Sequence, residues 1–162
     1  KKKYKNAITI IIPRHVHRAE EIKNELKKEG LKVYLHSSNK NIDHKTDIYL
    51  VDTYGETRSF LSICDIVFLG GSLIKHGGQN PLEAARLGCK VIHGPNINNF
   101  TEVYKLLNKI NISSKINNSN RAKSKILKNL NKKFSSSQNI KKLNTIGKEV
   151  LFKNQKEISK YI

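Results

Sequence analysis

Short apolar runs alternate along residues 7–111 with polar stretches in which apolar residues recur at helical spacing. The runs predict five strands, within AITIII (7–12), LKVYLHS (31–37), IYLVD (48–52), DIVFLG (65–70) and KVIHG (90–94). The stretches after them predict helices within 18–30, 54–64, 81–88 and 100–111. Because the strands are mostly apolar throughout, AITIII most of all, they are typical of buried parallel strands. The pattern therefore predicts an α/β fold, a Rossmann-like parallel sheet with flanking helices.

The last part of the chain has a different pattern. Residues 111–146 are rich in Asn, Ser and Lys, with only sparse apolar positions. They predict surface helices over 121–134 and 138–161, separated by a turn at SSSQ (135–138). We therefore divide the chain into a Rossmann-like core, 1–110, and a basic helical segment, 111–162, packed on that core.

The loops that follow the predicted strands are unusual in composition. Right-handed crossovers bring such loops to one edge of a parallel sheet, where ligands bind in folds of this class. The loops read PRHVHR, HSS, DTYGE, GGSLIKHGGQN and GPNINNF. The sequence therefore predicts a ligand site at the carboxyl ends of the strands.

Charge changes this picture only in the tail. The chain has a formal net charge of +18, and residues 101–162 carry 15 basic and 3 acidic side chains. Two explanations stay open: drift toward Lys and Asn, or contact with an anionic membrane surface. Few arginines and no interleaved aromatics argue against nucleic acid. Cys64 and Cys89 lie in apolar runs and predict buried free thiols, and no apolar stretch approaches the ~20 residues of a spanning helix.

The stretch GGQNPLE is compatible with two roles for the carboxylate of Glu83. Asn80, Pro81 and Glu83 fit the N-cap, first and third positions of a helix, so that Glu83 either completes a capping box or binds ribose hydroxyls. The start of that helix also suits a phosphate. Glycine pairs before it permit a ligand to approach the backbone.

Other chemical signals are few. Arg14 follows a strand and a proline, so it is either a solvated loop cation or a bidentate phosphate ligand. Asp52 and Glu56 either cap the helix that follows them or contact a ligand. His15 and His17 lack a nearby Cys or carboxylate cluster, so no metal is predicted. Neither a GxSxG elbow nor a Walker lysine motif is present.

The order and spacing of PRHVHR, DTYGE and FLGGSLIKHGGQNPLEAARLGCKVIHGPNINNF resemble the C-terminal domain of 3-deoxy-D-manno-octulosonic acid (Kdo) transferases over residues 7–107. The resemblance implies the C-terminal half of a B-type glycosyltransferase fold. It implies transfer of Kdo from CMP-Kdo to a lipid A precursor in lipopolysaccharide synthesis, without a metal or other cofactor. The expected place is the cytoplasmic face of the inner membrane of a Gram-negative bacterium.

The resemblance also implies residue roles. The CMP-binding positions would be Pro13, Arg14, Tyr54, Gly55, Glu56, Asn80, Pro81, Leu82 and Glu83. The cleft would be shaped by Gly70, Gly71, Ser72, Gly77 and Gly78, and Lys75 or His76 would add to the stabilisation of phosphate charge. The chain departs from the family at Val16 and His17, usually Pro and Glu, and at His36, usually Arg.

No catalytic residue is expected within this sequence. The base of the family is a glutamate in an N-terminal domain that also holds the acceptor, and the sequence corresponds to the other half. The resemblance therefore implies a truncated or split form, active only together with such an N-terminal half. A nucleotide-sugar-binding remnant without activity and a basic module for anionic surfaces are the alternatives.

Overall fold

The computed structural model describes residues 7–38, 41–130 and 136–161. The chain divides into two compact units, Lys1–Phe60 and Leu61–Ile162. This division differs in position from the predicted boundary at residue 110, which stays a prediction.

The first unit is built on a three-stranded parallel sheet in the order β1-β3-β2. Its elements are β1 (Thr9–Ile11), α1 (Ala19–Lys28), β2 (Val33–Leu35), β3 (Ile48–Leu50) and the start of α2 (Thr57–Ser62). Tyr49 of β3 is in register with Ile10 on one side and Tyr34 on the other. Leu50 on this central strand is fully buried, so β3 forms the core of the unit.

The buried face of α1 and its C-terminal end follow from its sequence. Ala19 is buried, and Ile22 and Leu26 lie on the same helical face, half-buried. Gly30 then adopts a φ of +75°, a conformation that glycine reaches without steric cost and that ends the helix.

The prediction that AITIII forms a buried strand is wrong. β1 covers only Thr9–Ile11, with Thr9 exposed and the two isoleucines half-buried, and the preceding Ile8 is 42% exposed. The reason is its place at an edge of the three-stranded sheet, where β3 covers one side of the strand. Apolarity of the run does not distinguish a central strand from an edge strand.

The second unit contains another three-stranded parallel sheet, in the order β4-β5-β6. Its strands are β4 (Ile66–Phe68), β5 (Lys90–His93) and β6 (Ser113–Lys115). Its helices are α3 (Leu82–Arg86), α4 (Thr101–Lys109), α5 (Ser119–Leu130) and α6 (Ser136–Ile158). The four other predicted strands are confirmed with shorter bounds, but β6 was not predicted.

Strand β6 carries no strand-like pattern of its own. Its sequence is SSK, yet Ser113 and Ser114 are buried, and the flanking Ile112 and Ile116 are 0% and 3% exposed. The strand pairs with β5 in parallel register, Val91 opposite Ser113. Backbone pairing and the burial of its two flanking isoleucines therefore place this segment in the sheet.

The core of the second unit lies between its sheet and its helices. Its fully buried members include Ala85, Val91, Leu107 and Ile112, together with Cys89. Cys89 is a free thiol whose Sγ lies 3.1 Å from the carbonyl oxygen of Cys64, and burial raises its pKa to about 11. Cys89 is thus buried as predicted, whereas Cys64 is half-buried.

The tail forms the two predicted helices with shifted bounds. α5 begins at Ser119, and the predicted continuation over 131–134 lies outside the described residues. α6 begins at Ser136, so most of the predicted SSSQ turn is helical instead. No helix in the part of the chain that the structure describes is both long and apolar enough to cross a membrane.

Candidate functional site

Arg14 lies in the loop after β1. It is exposed, and it makes no ion pair with any residue that the structure describes. A 3-10 turn, Val16–Arg18, follows, in which the Arg18 N–H donates to the carbonyl of His15. Arg18 is engaged by Glu21, with 3.0 Å between Nε and Oε2. Of the two arginines near this strand end, Arg14 is therefore the one available to an anion.

Asp52, at the end of β3, holds the loop that follows β2. Its carboxylate accepts the N–H of Ser37 at 2.8 Å and the Ser37 hydroxyl at 2.5 Å. Burial raises the pKa of Asp52, but the two bonds from Ser37, a bond with its own backbone and the nearby His36 together lower it more, so the net pKa lies below its usual value. The carboxylate of Asp52 thus anchors the loop after β2 rather than capping α2, and its contact with a ligand stays a prediction.

His36 links the same loop to Glu56. Its Nδ1 lies 2.6 Å from the Tyr49 hydroxyl, and its Nε2 lies 4.0 Å from Oε1 of Glu56. Phe60 packs edge-on against the imidazole, with ring centroids 5.4 Å apart. These contacts hold His36 in place beside a carboxylate that is 39% exposed.

Two residues of the DTYGE loop, Tyr54 and Gly55, reach into solvent. Tyr54 is 75% exposed, and Gly55 next to it adopts a φ of +85° in the turn. Glu56 accepts, through its carbonyl, the N–H of Phe60 at the start of α2. The loop thus presents the ring of Tyr54 and the carboxylate of Glu56 at the carboxyl end of β3.

In the second unit, Ser72 joins the loops that follow β4 and β5. Its side chain is fully buried; the hydroxyl donates to the carbonyl of Leu69 at 2.6 Å and accepts the N–H of Gly94 at 2.8 Å. Its carbonyl accepts both the backbone and the side-chain N–H of Asn96, at 2.9 and 3.2 Å. We call this set of bonds the Ser72 clasp. The Ser72 hydroxyl thus donates one bond and accepts one within the protein.

The glycines around this loop serve the contact between the two loops. A Cβ at Gly94 would overlap the backbone of Ser72, and one at Gly78 would lie 3.0 Å from the carbonyl oxygen of Asn96. Gly78 and its neighbour Gly77 have φ values of +75° and +82°. Gly70 and Gly71 are half-buried in the turn before Ser72. The second glycine pair, Gly77 and Gly78, therefore lets one loop lie against the other.

The predicted capping box is half formed. Asn80 Oδ1 accepts the N–H of Leu82 at 3.0 Å, and Pro81 is buried at the start of α3. The Glu83 carboxylate is exposed and makes no hydrogen bond with Asn80 or with another described residue. Since α3 is only five residues long, its dipole adds little at this end. The Glu83 carboxylate is therefore free for a ligand.

Two residues near this loop, His93 and Tyr104, lie in no sequence motif that marks them as site residues. His93, at the end of β5, is 2% exposed, and its ring lies 4.2 Å from that of Tyr104. Its Nδ1 lies 2.7 Å from the carbonyl oxygen of Gly94, its Nε2 is unpartnered among the described residues, and burial lowers its pKa. The Tyr104 hydroxyl donates to the carbonyl of Gln79 at 2.9 Å, and burial raises its pKa to about 12.

A metal site is not evident in the described ranges. They contain no group of three or more His, Cys, Asp or Glu residues placed to hold an ion. The rings of His15 and His17 are near each other, with centroids 5.5 Å apart, but no third ligand accompanies them.

Comparison with curated proteins gives clear relatives, although no protein-family model matches the chain. The chain is 33% identical, over 94% of its length, to the 3-deoxy-D-manno-octulosonic acid transferase of Haemophilus influenzae. It is 40% identical, over 65% of its length, to a probable mitochondrial 3-deoxy-D-manno-octulosonic acid transferase of Arabidopsis thaliana. It spans 35% and 24% of these two proteins. The predicted resemblance to Kdo transferases is thereby confirmed.

The fold has a close counterpart among solved structures. The C-terminal CMP-Kdo binding domain of WaaA from Acinetobacter baumannii superposes with a TM-score of 0.81, at 23% identity, over 90% of this chain and 76% of that one. This match confirms the predicted fold class. The predicted CMP-binding residues divide between the units: Pro13, Arg14 and Tyr54–Glu56 lie in the first, and Asn80–Glu83 in the second. Their assignment to CMP stays a prediction.

Proposed function

We propose that this chain is the donor-binding part of a Kdo transferase, which binds CMP-Kdo and, with an acceptor-binding part, transfers Kdo to a lipid A precursor. The single observation that supports this most is the sequence similarity to Kdo transferases over 94% of the chain. The fold match to a domain named for CMP-Kdo binding agrees with it.

The free side chains of the strand-end loops suit the parts of such a donor. The Arg14 guanidinium has no described ion-pair partner and is proposed to take the phosphate of CMP in a bidentate pair. The Glu83 carboxylate, not engaged as a cap, is proposed to accept the ribose hydroxyls. Tyr54, Gly55 and Glu56 are proposed as further CMP contacts of the first unit. In the second unit, the Ser72 clasp would hold the cleft glycines in place.

The proposed chemistry places few demands on this chain. An acceptor hydroxyl attacks the anomeric carbon of Kdo, the bond to the phosphate oxygen breaks, and CMP leaves with the electron pair. Charge that develops on the phosphate is stabilised by a fixed cation, the role proposed for Arg14, with Lys75 or His76 as the further candidates. The base that removes the hydroxyl proton is proposed to lie in the acceptor-binding part.

A second candidate function is binding of the nucleotide sugar without transfer. What favours it is His36, which stands where the resemblance implies an arginine. In this chain the imidazole is held by Tyr49 and faces Glu56, and a fixed arginine charge is lost from the strand-end loops. Such a domain would still recognise CMP.

The place of the reaction is also a proposal. We propose that the transfer occurs at the cytoplasmic face of the bacterial inner membrane, because its lipid acceptor is bound to a membrane while its nucleotide donor is water-soluble. Fractionation of cells that express the tagged protein tests this, with the inner-membrane fraction as the expected place.

Calorimetric titration with CMP and CMP-Kdo tests donor binding. We expect Arg14→Gln and Glu83→Gln each to weaken binding about tenfold, the effect of losing a hydrogen bond to a charged group. The matched controls are Arg18→Gln, in the same loop, and Glu102→Gln, exposed on α4; neither should change affinity. Absence of binding by the folded protein would refute both candidate functions.

A transfer assay separates the two candidates. The chain is mixed with the N-terminal part of a Kdo transferase, and Kdo incorporation into a lipid A precursor is measured. Transfer supports the first candidate, whereas CMP binding without transfer by a mixture shown to associate supports the second.

A further inference from the structure

A basic groove lies in the second unit, next to the end of β5, where the Ile116 N–H donates to the carbonyl of His93. It has a volume of about 240 Å³ and is formed where β6 ends and α5 passes over it. Its walls are Lys115, Ile116, Arg121, Ser124, Lys125 and Lys128.

The spacing of these residues explains why they share one groove. Arg121, Lys125 and Lys128 stand four and three residues apart, so they project from one face of α5 together with Ser124. Lys115 is the last residue of β6 and faces them from the sheet. The next residue, Ile116, is 3% exposed and forms the apolar floor.

The charges of the groove are uncompensated. Four of its six residues are cations and none is acidic, and none of the four forms an ion pair with a residue in the described ranges. Elsewhere lysines do pair, as Lys23 does with Glu20 and Lys105 with Glu102, at 2.7 Å each. Like charges three and four residues apart on a helix repel weakly, so a bound anion would offset this repulsion.

We propose that the basic groove binds phosphate groups, carried either by membrane lipid headgroups or by a soluble phosphorylated molecule. A phosphate offers several acceptor oxygens at one charged centre, which suits one guanidinium and three ammonium groups converging from two sides. None of these residues belongs to the strand-end loops proposed for CMP, so the two sites are tested independently.

The test compares two triple variants of the same net charge. The first variant combines Arg121→Gln, Lys125→Gln and Lys128→Gln, which removes the three positive charges that α5 contributes to the groove. Lys148→Gln, Lys153→Gln and Lys156→Gln, on the exposed part of α6, remove the same charge elsewhere. Glutamine keeps helix propensity close to that of lysine and arginine, so both variants should fold, which circular dichroism checks.

Two probes distinguish the sources of phosphate. Inorganic pyrophosphate is titrated calorimetrically at low salt, and vesicles of phosphatidylcholine with and without phosphatidylglycerol are used in co-sedimentation. We expect the unaltered protein and the α6 variant to bind at least one probe, and the groove variant to bind it at least about tenfold more weakly. CMP affinity should be the same in all three proteins.

The results have distinct meanings. Binding of pyrophosphate alone assigns the groove to a soluble ligand, and binding of phosphatidylglycerol vesicles alone assigns it to a headgroup. Equal weakening in both variants means that attraction follows overall charge, which overturns the proposal. So does failure of the unaltered protein to bind either probe. If the groove triple variant does not fold, Lys125→Gln against Lys153→Gln makes the same comparison, with a few-fold difference expected.

Discussion

Substitution of Gly94 by alanine tests the Ser72 clasp directly. A Cβ at this position has no room, because it would overlap the backbone of Ser72 rather than a side chain that can turn away. The two loops must separate to admit it, which strains the hydrogen bonds that the Gly94 N–H and both Asn96 N–H donors make with Ser72. At about 1 kcal/mol for each of the three bonds, we expect the free energy of unfolding to fall by about 2–4 kcal/mol.

Urea unfolding followed by circular dichroism measures this change. The matched control is Gly147→Ala on α6, where an added Cβ meets nothing within 4 Å. Alanine has the higher helix propensity there, so this variant should gain about 0.5–1 kcal/mol. The same chemical change thus has opposite signs at the two positions. A Gly94→Ala variant with the unfolding midpoint of the parent would refute the reasoning, since the two loops could then separate without cost.

Three further predictions concern the same unit. Asn80→Ala should lower the free energy of unfolding by about 1 kcal/mol, because the hydrogen bond that caps Leu82 is lost. Glu83→Ala should change it by no more than about 0.5 kcal/mol, and urea unfolding measures both variants. A larger loss in Glu83→Ala would mean that Glu83 caps the helix. Tyr104→Phe leaves the Gln79 carbonyl without its donor and should cost about 1–3 kcal/mol, measured in the same way. Because burial holds the pKa of His93 below 6.5, the unfolded chain binds the proton more readily, so stability should fall as the pH falls through 6.5 toward the folded-state pKa and stay level above it. Thermal melts between pH 5 and 8 check this, and a His93→Gln variant with the same pH dependence as the parent would contradict it.

The sequence was sufficient for most elements of the fold because their signals are local. Apolar runs and helical spacing predicted five strands and six helices close to where the structure has them. Strand β6 was not predicted, because two serines and a lysine have no strand preference and its pairing with β5 is not a local property. The exposure of β1 was not predicted either, because the neighbouring strands in the sheet, rather than the apolar run itself, decide how far a strand is buried.

The candidate site shows the same limit. Its loops could be predicted, since strands of this fold end at one edge, but the partners within the loops could not. Ser72 and Gly94 are 22 residues apart, and Ser37 and Asp52 are 15 apart, so neither pair is visible in a local motif. The charge of the tail could likewise be counted, whereas its concentration around one groove depends on how α5 lies over β6.

The Ser72 clasp also has a consequence for binding rates. A loop fixed by four hydrogen bonds before a ligand arrives loses little conformational freedom when the ligand binds. The glycine-rich stretch around Ser72, which looks flexible from its composition, is in this sense preorganised. Association with a ligand that rests on it should therefore be governed by diffusion and charge, with a single kinetic phase, and the slower steps should come from parts of the protein outside the clasp.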